Sequence, residues 1–291
     1  MPKILIPLDA DPASMTTMAG ARAIMGNRPW TVRLIHSGAD PEGKMRAYLD
    51  DAAARLQAEG HFVTVVMAEG PSDAATTLQR ASISPRMDIV VLTRQGSGDG
   101  WLNTKAPVEL ARRQLFCPVM IMPPEGAAAP GYKLGHIVVA LDGSTTAELG
   151  VDLSLALAER LGARITVMTA VERERAVAAA DEDEALPALT SAADAASYLD
   201  GVSQRYADRV RFGQAVKDSG RATSEAIVEA AREQRADLVV LTSQGTSGAR
   251  KEGLGRVAEA MAQTSTVPVM IARPTPTSKV PFGRGALLKR R

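Results

Sequence analysis

Hydrophobic and polar positions follow a regular order along this chain. Short apolar runs rich in Val, Ile and Leu are bounded by glycine, proline or acidic residues, which is typical of strands buried on both faces. The longer segments between them carry charges at helical spacing, which predicts helices. Strands are predicted at 3–8, 31–36, 62–67, 88–93, 119–122, 136–142, 164–171, 209–216, 237–241 and 267–272. Strands that alternate with helices are typical of a parallel, doubly wound sheet.

Two of the apolar runs are near-copies of each other. Asp237–Gly245 repeats Asp88–Gly96 except at two positions, where Leu238 replaces Ile89 and Ser243 replaces Arg94. The segment after each run repeats as well, because Pro-Val-Met-Ile occurs at 118–121 and again at 268–271. The repeat indicates an internal duplication. We therefore expect an α/β fold with two tandem doubly wound five-stranded parallel sheets, each in the strand order 3-2-1-4-5.

The distribution of proline and glycine suggests where the two halves meet. A first domain is expected over 1–123, and a linker punctuated by Pro and Gly over 124–134. A second domain is expected over 135–273. The remainder, 274–291, contains Pro, Gly, Lys and Arg without periodicity, which predicts a disordered basic tail.

Composition and charge narrow the class of protein. Of the 291 residues, 45% are hydrophobic and 23% are charged, which is enough for an ordinary core in each half. The net charge of +1 gives no global electrostatic reason to expect nucleic-acid or membrane binding. Cys117 is the only cysteine, which excludes an intramolecular disulfide and a cysteine-based zinc cluster. No apolar run approaches the roughly 20 residues of a membrane span, so a soluble cytoplasmic protein is expected.

The predicted sheet order also predicts where a ligand would bind. Ligands of doubly wound sheets lie beyond the carboxyl ends of the strands where the strand order reverses, here between the first and fourth strands. In the second half, Asp142 ends the first strand, and a glycine-rich loop from Thr242 to Gly255 follows the fourth. Such a loop can turn backbone N–H groups towards an anion, and the next helix presents its positive end. Lys251 and Arg256 can add positive charge.

This arrangement resembles the universal stress protein (UspA-type) family in tandem form. Its nucleotide-binding members carry Gly, two residues, Gly, nine residues and then Gly-Ser/Thr after the fourth strand. Here nine residues separate Gly245 from Gly255, whereas Thr242 replaces the first Gly and Arg256 replaces the Ser/Thr. Asp142 matches the acid that contacts the adenosine part of ATP in such members.

The resemblance implies a Rossmann-like, adenine nucleotide alpha hydrolase-like fold and a role as a stress-response regulator or sensor. It also implies binding of ATP or a related adenine nucleotide, with Mg²⁺ bridging phosphate oxygens. Backbone N–H groups of the loop glycines would cradle the phosphates, and residues 170–171 would meet the adenosine. The implied nucleotide-binding residues are Asp142, Ala170, Val171, Thr242, Gln244, Gly245, Gly248, Gly255 and Arg256.

The first half departs further from that pattern. Asp9 and Gly96 are present, but Thr93 replaces the first Gly and Ala106-Pro107 replaces Gly-Ser/Thr. Proline removes an N–H where a phosphate would need one. Asp9, Thr93 and Gly96 are therefore the weaker candidates, and the nucleotide is expected mainly in the second half.

Structural explanations exist for most of these features. A glycine loop is also explained as a tight strand-to-helix connection, which is the preferred explanation for the loop of the first half and an open alternative for that of the second. Asp9 and Asp142 are also explained as helix caps. Cys117 fits a packed thiol. The acidic run 181–184 is typical of a solvated loop, with a carboxylate metal cluster as the alternative. Lys251, Arg256 and the terminal 289–291 fit solvated surface charges. His36, His61 and His136 show no metal-ligand or triad spacing, which favours structural roles.

Two other functions compete with nucleotide binding. One is an interaction module that binds only protein partners, in which 119–122 and 269–272 pair within the chain or support a homodimer. The other is an enzyme, which would at most hydrolyse ATP slowly, because no base or nucleophile is positioned by the pattern. A nicotinamide dehydrogenase is not expected, since neither first strand leads into Gly-x-Gly-x-x-Gly.

Overall fold

The computed structural model divides the chain into two compact units. They are Met1–Lys133 and Leu134–Arg291, called here the first and second unit, and each is described by itself. The residues that the structure describes are 1–9, 11–40, 42–68, 73–83, 86–94, 101–102, 105–113, 115, 117–124, 131–172, 189, 191–209, 212–219, 222–243 and 254–272.

In its described residues the first unit alternates five strands with four helices. Its elements are β1 (Lys3–Pro7), α1 (Pro12–Met25), β2 (Thr31–Ser37), α2 (Lys44–Ala58), β3 (Phe62–Ala68), α3 (Ala74–Ile83), β4 (Ile89–Thr93), α4 (Ala106–Arg112) and β5 (Val119–Met122). The strands run in the order β3-β2-β1-β4-β5, and every neighbouring pair is parallel.

The second unit repeats this order. Its elements are β6 (His136–Ala140), α5 (Thr145–Leu161), β7 (Arg164–Glu172), α6 (Ala192–Gln204), β8 (Phe212–Ser219), α7 (Thr223–Glu233), β9 (Leu238–Thr242), α8 (Arg256–Thr264) and β10 (Val269–Ala272). The strand order β8-β7-β6-β9-β10 is again 3-2-1-4-5 within the unit, with all neighbours parallel. The expected fold class is confirmed.

The duplicated runs form the fourth strand of each unit. Every residue of β4 and of β9 is buried, as expected for a strand covered on both faces. The acid that precedes each of them ties the fourth strand to the first. Asp88 Oδ2 accepts a hydrogen bond of 2.8 Å from the backbone N–H of Lys3, and Asp237 Oδ2 accepts one of 2.9 Å from that of His136.

Helix packing against the last strand differs between the units. A Cβ built on Gly20, nine residues after the cap of α1, would lie 2.6 Å from Sδ of Met122 at the end of β5. The matching positions of the second unit hold Leu153 in α5, nine residues after its cap, and Ala272 at the end of β10. The larger residue of the pair therefore lies on the strand in the first unit and on the helix in the second.

The predicted edges of most elements agree with the structure, but β8 starts later than expected. It begins at Phe212 instead of residue 209, because Arg209 belongs to the turn after α6, where its backbone N–H donates to the carbonyl of Tyr206 at 3.0 Å. The acidic run 181–184 and the tail 274–291 lie outside the described residues. Among the described helices, none has the length and apolarity required to cross a membrane.

Candidate functional site

The strand order reverses between β1 and β4 in the first unit and between β6 and β9 in the second. At the carboxyl edge of the first unit, Asp9 follows β1 and Thr93 ends β4. In the second unit, Asp142 follows β6 and Thr242 ends β9. Both candidate acids are therefore at the point where doubly wound sheets bind ligands. What surrounds each acid differs between the two units.

In the second unit, Ser144 holds the carboxylate of Asp142. Asp142 Oδ1 accepts hydrogen bonds from the backbone N–H of Ser144 at 3.1 Å and from its hydroxyl at 2.6 Å. The same hydroxyl accepts a hydrogen bond of 3.0 Å from the backbone N–H of Ala147, which caps α5. The alternative that Asp142 itself caps the helix is therefore wrong, and Ser144 is the cap.

The neighbouring strand β7 forms one wall beside Asp142. Ala140 pairs with Met168, so the register places Ala170 level with Asp142, two residues further along each strand. Val171 follows and is buried. On the other side, a Cβ built on Gly143 would lie 3.4 Å from Leu189, which is in the connection between β7 and α6. The positive φ of 86° at Gly143 lets the chain turn there.

The end of β9 is closed by backbone hydrogen bonds. The N–H of Ser243 donates to the carbonyl of Ala272, and the N–H of Gly255 donates to the carbonyl of Ser243, both at 2.8 Å. The Gly255 N–H is thus used within the protein, whereas the sequence had suggested that it would face a phosphate. A Cβ at Gly255 would lie 3.2 Å from that Ser243 carbonyl oxygen, so close approach of the backbone explains the glycine.

Arg256 is the first residue of α8 and is exposed to solvent. Thr242 is buried at the end of β9. The remaining loop candidates Gln244, Gly245 and Gly248 lie outside the described residues, as does Lys251 and, in the first unit, Gly96.

In the first unit, both carboxylate oxygens of Asp9 are bonded within the protein. Oδ1 lies 2.9 Å from Nδ1 of His36, and Oδ2 accepts a hydrogen bond of 3.0 Å from the backbone N–H of Leu102. Asp9 is only 6% exposed. It does not cap α1, because that role belongs to Asp11, whose side chain accepts from the N–H of Ser14.

His36 and Trp101 cover this acid. His36 Nδ1 also lies 3.0 Å from the carbonyl oxygen of Leu8; with two acceptors nearby, Nδ1 carries a proton. Burial lowers the pKa of His36, but its hydrogen bonds to Asp9 and Leu8 and the negative charges of Asp9 and Asp40 outweigh this and raise the pKa above its ordinary value. The Trp101 ring meets the His36 ring edge-on at a centroid distance of 5.5 Å, and its buried Nε1 has no hydrogen-bond partner among the residues that the structure describes.

The threonines that replace the first motif glycine have different surroundings. Thr93 Oγ1 lies 2.7 Å from Oγ1 of Thr17 and donates to the carbonyl of Ala13 at 3.0 Å, which ties β4 to α1. In the second unit the position that matches Thr17 is Gly150, where an added Cβ would be 4.0 Å from Cγ2 of Thr242. In the first unit, therefore, the threonine serves helix–strand packing.

The sequence had not indicated His36, Trp101 or Leu102 as partners of Asp9. The register was the available signal for His36, because β1 and β2 pair from Lys3↔Thr31 to Pro7↔Ile35 and thus bring His36 level with Leu8.

The structural role expected for the other two histidines and for Cys117 agrees with their surroundings. His136 Nδ1 and Nε2 lie 2.8 Å from Gln234 O and Thr166 Oγ1 respectively. Burial lowers the pKa of His61 and raises that of the Cys117 thiol to about 12, which fits an inert packed thiol. In the described part of the chain no three His, Cys, Asp or Glu side chains are placed to hold a metal ion.

Comparison with known proteins finds a family match over the second unit. Residues 133–273 match the model of the universal stress protein family. The fold and the position of the candidate site agree with that match, and the resemblance stated from the sequence is confirmed.

A relative with sequence similarity over a longer stretch is Universal stress protein Rv2005c of Mycobacterium tuberculosis. It is 28% identical over 194 residues, which cover 66% of this chain and 63% of the relative. The match thus spans less than two thirds of the relative's length.

Two solved structures share the fold over most of the chain. A universal stress protein from Archaeoglobus fulgidus aligns with a TM-score of 0.65 at 16% identity, covering 93% of this chain and 98% of that one. The cytoplasmic domain of a prokaryotic cation chloride cotransporter aligns with a TM-score of 0.55 at 14% identity, covering 93% and 94%. At these identities the similarity concerns the fold alone.

Proposed function

We propose that the second unit binds ATP or a related adenine nucleotide and that the protein acts as a stress-response regulator or sensor in the cytoplasm. The observation that carries the proposal is the state of Asp142. Its carboxylate lies at the switch point of the sheet, on a residue that is only partly buried, and is oriented by Ser144. A carboxylate accepts hydrogen bonds from hydroxyl groups, and ribose offers two adjacent ones.

In the proposed arrangement the nucleoside lies between Asp142 and the strand end at Ala170 and Val171. The phosphates extend towards the loop that follows Thr242, where Gln244, Gly245 and Gly248 would supply hydrogen bonds. The amino end of α8, with Arg256 at its first position, adds a favourable field for the phosphates. Mg²⁺ would bridge phosphate oxygens and keep most of its ligands from water and nucleotide.

Isothermal titration of the full chain with Mg-ATP tests the proposal. We expect one nucleotide per chain and a loss of affinity of about tenfold or more in Asp142→Ala, because a hydrogen bond to a charged group is removed. Asp51→Ala is the matched control, since Asp51 lies on α2 in the other unit with 60% of its side chain exposed. No heat, together with an unchanged melting temperature at millimolar nucleotide, would refute the proposal.

For the first unit we propose the second candidate function, that of an interaction module that binds no nucleotide. The specific observation is that Asp9 already bonds His36 and Leu102 with both oxygens. A nucleotide would have to displace these contacts. Equilibrium binding of two nucleotides per chain, with the second lost in Asp9→Asn, would contradict this assignment.

A further inference from the structure

Ser144 makes three hydrogen bonds in a small space. Its N–H and its hydroxyl both reach Oδ1 of Asp142, at 3.1 and 2.6 Å, and its hydroxyl oxygen receives the N–H of Ala147 at 3.0 Å. The residue is 4% exposed and caps a helix of 17 residues. Ser144 is therefore held by α5 and in turn holds Asp142.

We infer that Ser144 is a positioning residue that orients the Asp142 carboxylate towards the adjacent hydroxyls of a ribose, so that the second unit selects ribonucleotides over nucleotides that lack these hydroxyls. The inference rests on the proposed function of the same site. Two donors on one oxygen fix the plane of the carboxylate, which would otherwise rotate about its side-chain bonds. A site built to bond a hydroxyl rejects the analogue that lacks it, because the buried or ordered polar partner is then left unmatched.

The first unit shows what a different cap does. The position that matches Ser144 holds Asp11, which follows Asp9 by two residues and caps α1 through the N–H of Ser14 at 3.0 Å. An ionised carboxylate accepts hydrogen bonds but has none to donate. It therefore caps the helix without orienting Asp9, whose oxygens are bonded by His36 and Leu102 instead. Serine at this position caps the helix and orients the acid, whereas aspartate only caps the helix.

This difference defines the test. The affinities of ATP and 2′,3′-dideoxy-ATP are measured by titration calorimetry on the full-length wild type and on Ser144→Ala, Ser144→Asp and Ser144→Thr. The ratio of the two dissociation constants isolates the ribose contact, because both nucleotides carry the same phosphates and base. Ser144→Asp keeps a good cap but removes the hydroxyl donor, whereas Ser144→Thr keeps both functions.

Ser191→Ala is the matched control for loss of a cap. Ser191 caps α6 by accepting the N–H of Asp194 at 3.1 Å, in the same unit but without a bond to Asp142. The melting temperature is expected to fall in both Ser191→Ala and Ser144→Ala. Only the changes at Ser144 are expected to alter the preference for ribose.

We expect the wild type, Ser144→Thr and Ser191→Ala to prefer ATP by about tenfold, the usual strength of a hydrogen bond to a charged group. In Ser144→Ala and Ser144→Asp the preference is expected to fall to about twofold or less. An unchanged preference in these two variants would overturn the role of Ser144 while leaving nucleotide binding intact. A wild type that binds ATP but does not prefer it to 2′,3′-dideoxy-ATP would also overturn the role of Ser144 and leave nucleotide binding intact. A wild type that binds neither nucleotide would overturn the proposed function and the inference together.

Discussion

The acid at the end of the first strand is present in both units, but its surroundings are opposite. In the first unit Asp9 is buried and bonded to His36 on the neighbouring strand and to Leu102 in a loop. In the second unit Asp142 is only partly buried and is oriented by Ser144 within the same turn. A duplicated motif thus has a structural role in one copy and the geometry of a binding group in the other.

One position on the second strand accounts for much of this difference. Lys3 pairs with Thr31 and His136 with Arg164, so counting five residues forward from each partner makes His36 the counterpart of Thr169. A histidine at this position reaches the carboxylate, whereas threonine is too short to bridge to it in the same way. Identity of the acid alone is therefore a poor guide to whether a site of this fold is available to a ligand.

The largest effect is expected from removing the histidine. His36→Ala leaves the Asp9 carboxylate buried without its main partner, which costs about 3 kcal/mol in the free energy of unfolding. Both tryptophans, Trp30 and Trp101, lie in the first unit, so their fluorescence during urea unfolding reports on that unit. Thr169→Ala is the matched change and is expected to cost about 1 kcal/mol, followed by far-UV circular dichroism. Equal losses in the two variants would contradict the assigned roles.

A moderate effect is expected where α1 meets β5. Gly20→Ala places a Cβ against Met122, and the flexible end of the methionine must move, at a cost of about 1–2 kcal/mol. Met122→Ala gives β5 a small last residue, as the second unit has in β10. In that background we expect Gly20→Ala to cost about half of what it costs in the wild type. Additive losses in this double-mutant cycle, measured by urea unfolding, would show that the two side chains do not interact.

The stability of the first unit is expected to depend on pH through His36. Its pKa is raised in the folded state, so its contribution is fully present below the unfolded pKa of about 6.5 and is lost as pH rises through the folded value. His61 and His136, whose pKa values burial lowers, act in the opposite sense at acid pH.

The contribution of His36 is therefore measured as a difference in stability between two proteins. The free energy of unfolding of the wild type minus that of His36→Gln, followed by tryptophan fluorescence, should decrease between pH 6 and pH 8. A constant difference across this window would show that His36 does not change its protonation there.

The smallest effect is expected at the start of α8. Gly255→Ala brings a Cβ to 3.2 Å from the Ser243 carbonyl oxygen, and a shift of a few tenths of an ångström should limit the loss of stability to about 0.5–1 kcal/mol. In the first unit the residue that precedes the matching helix, α4, is Lys105, which already carries a side chain at this position. If the shift also displaces the loop, ATP affinity should fall by a factor of about three, which titration calorimetry can measure; a melting temperature lowered by ten degrees or more would contradict this estimate.

Local signals in the sequence were sufficient for most of the fold. The apolar run Val119–Met122 coincides with β5, and Ser144 caps α5. Both features depend on neighbours within a few residues. The predicted start of β8 is too early because Arg209 belongs to the turn after α6, and its side chain pairs with Glu159, a residue far away in the sequence.

The candidate site was predictable only in part, for the same reason. Asp142 and Asp9 follow from the ends of their strands, which are local. The contacts that distinguish them are not local, since His36 reaches Asp9 from the next strand and Leu102 from a loop 93 residues away. The use of the Gly255 N–H within the protein likewise depends on how closely two backbone segments approach each other, which spacing between glycines does not reveal.

The acids that precede the two duplicated strands have a consequence for synthesis of the protein on the ribosome. Asp88 bonds a backbone group 85 residues earlier, and Asp237 one 101 residues earlier. During translation the first strand of each unit cannot pair with the fourth at once, because the fourth strand must first leave the exit tunnel. Each half is therefore expected to acquire protease resistance abruptly and late, once its fourth strand has emerged.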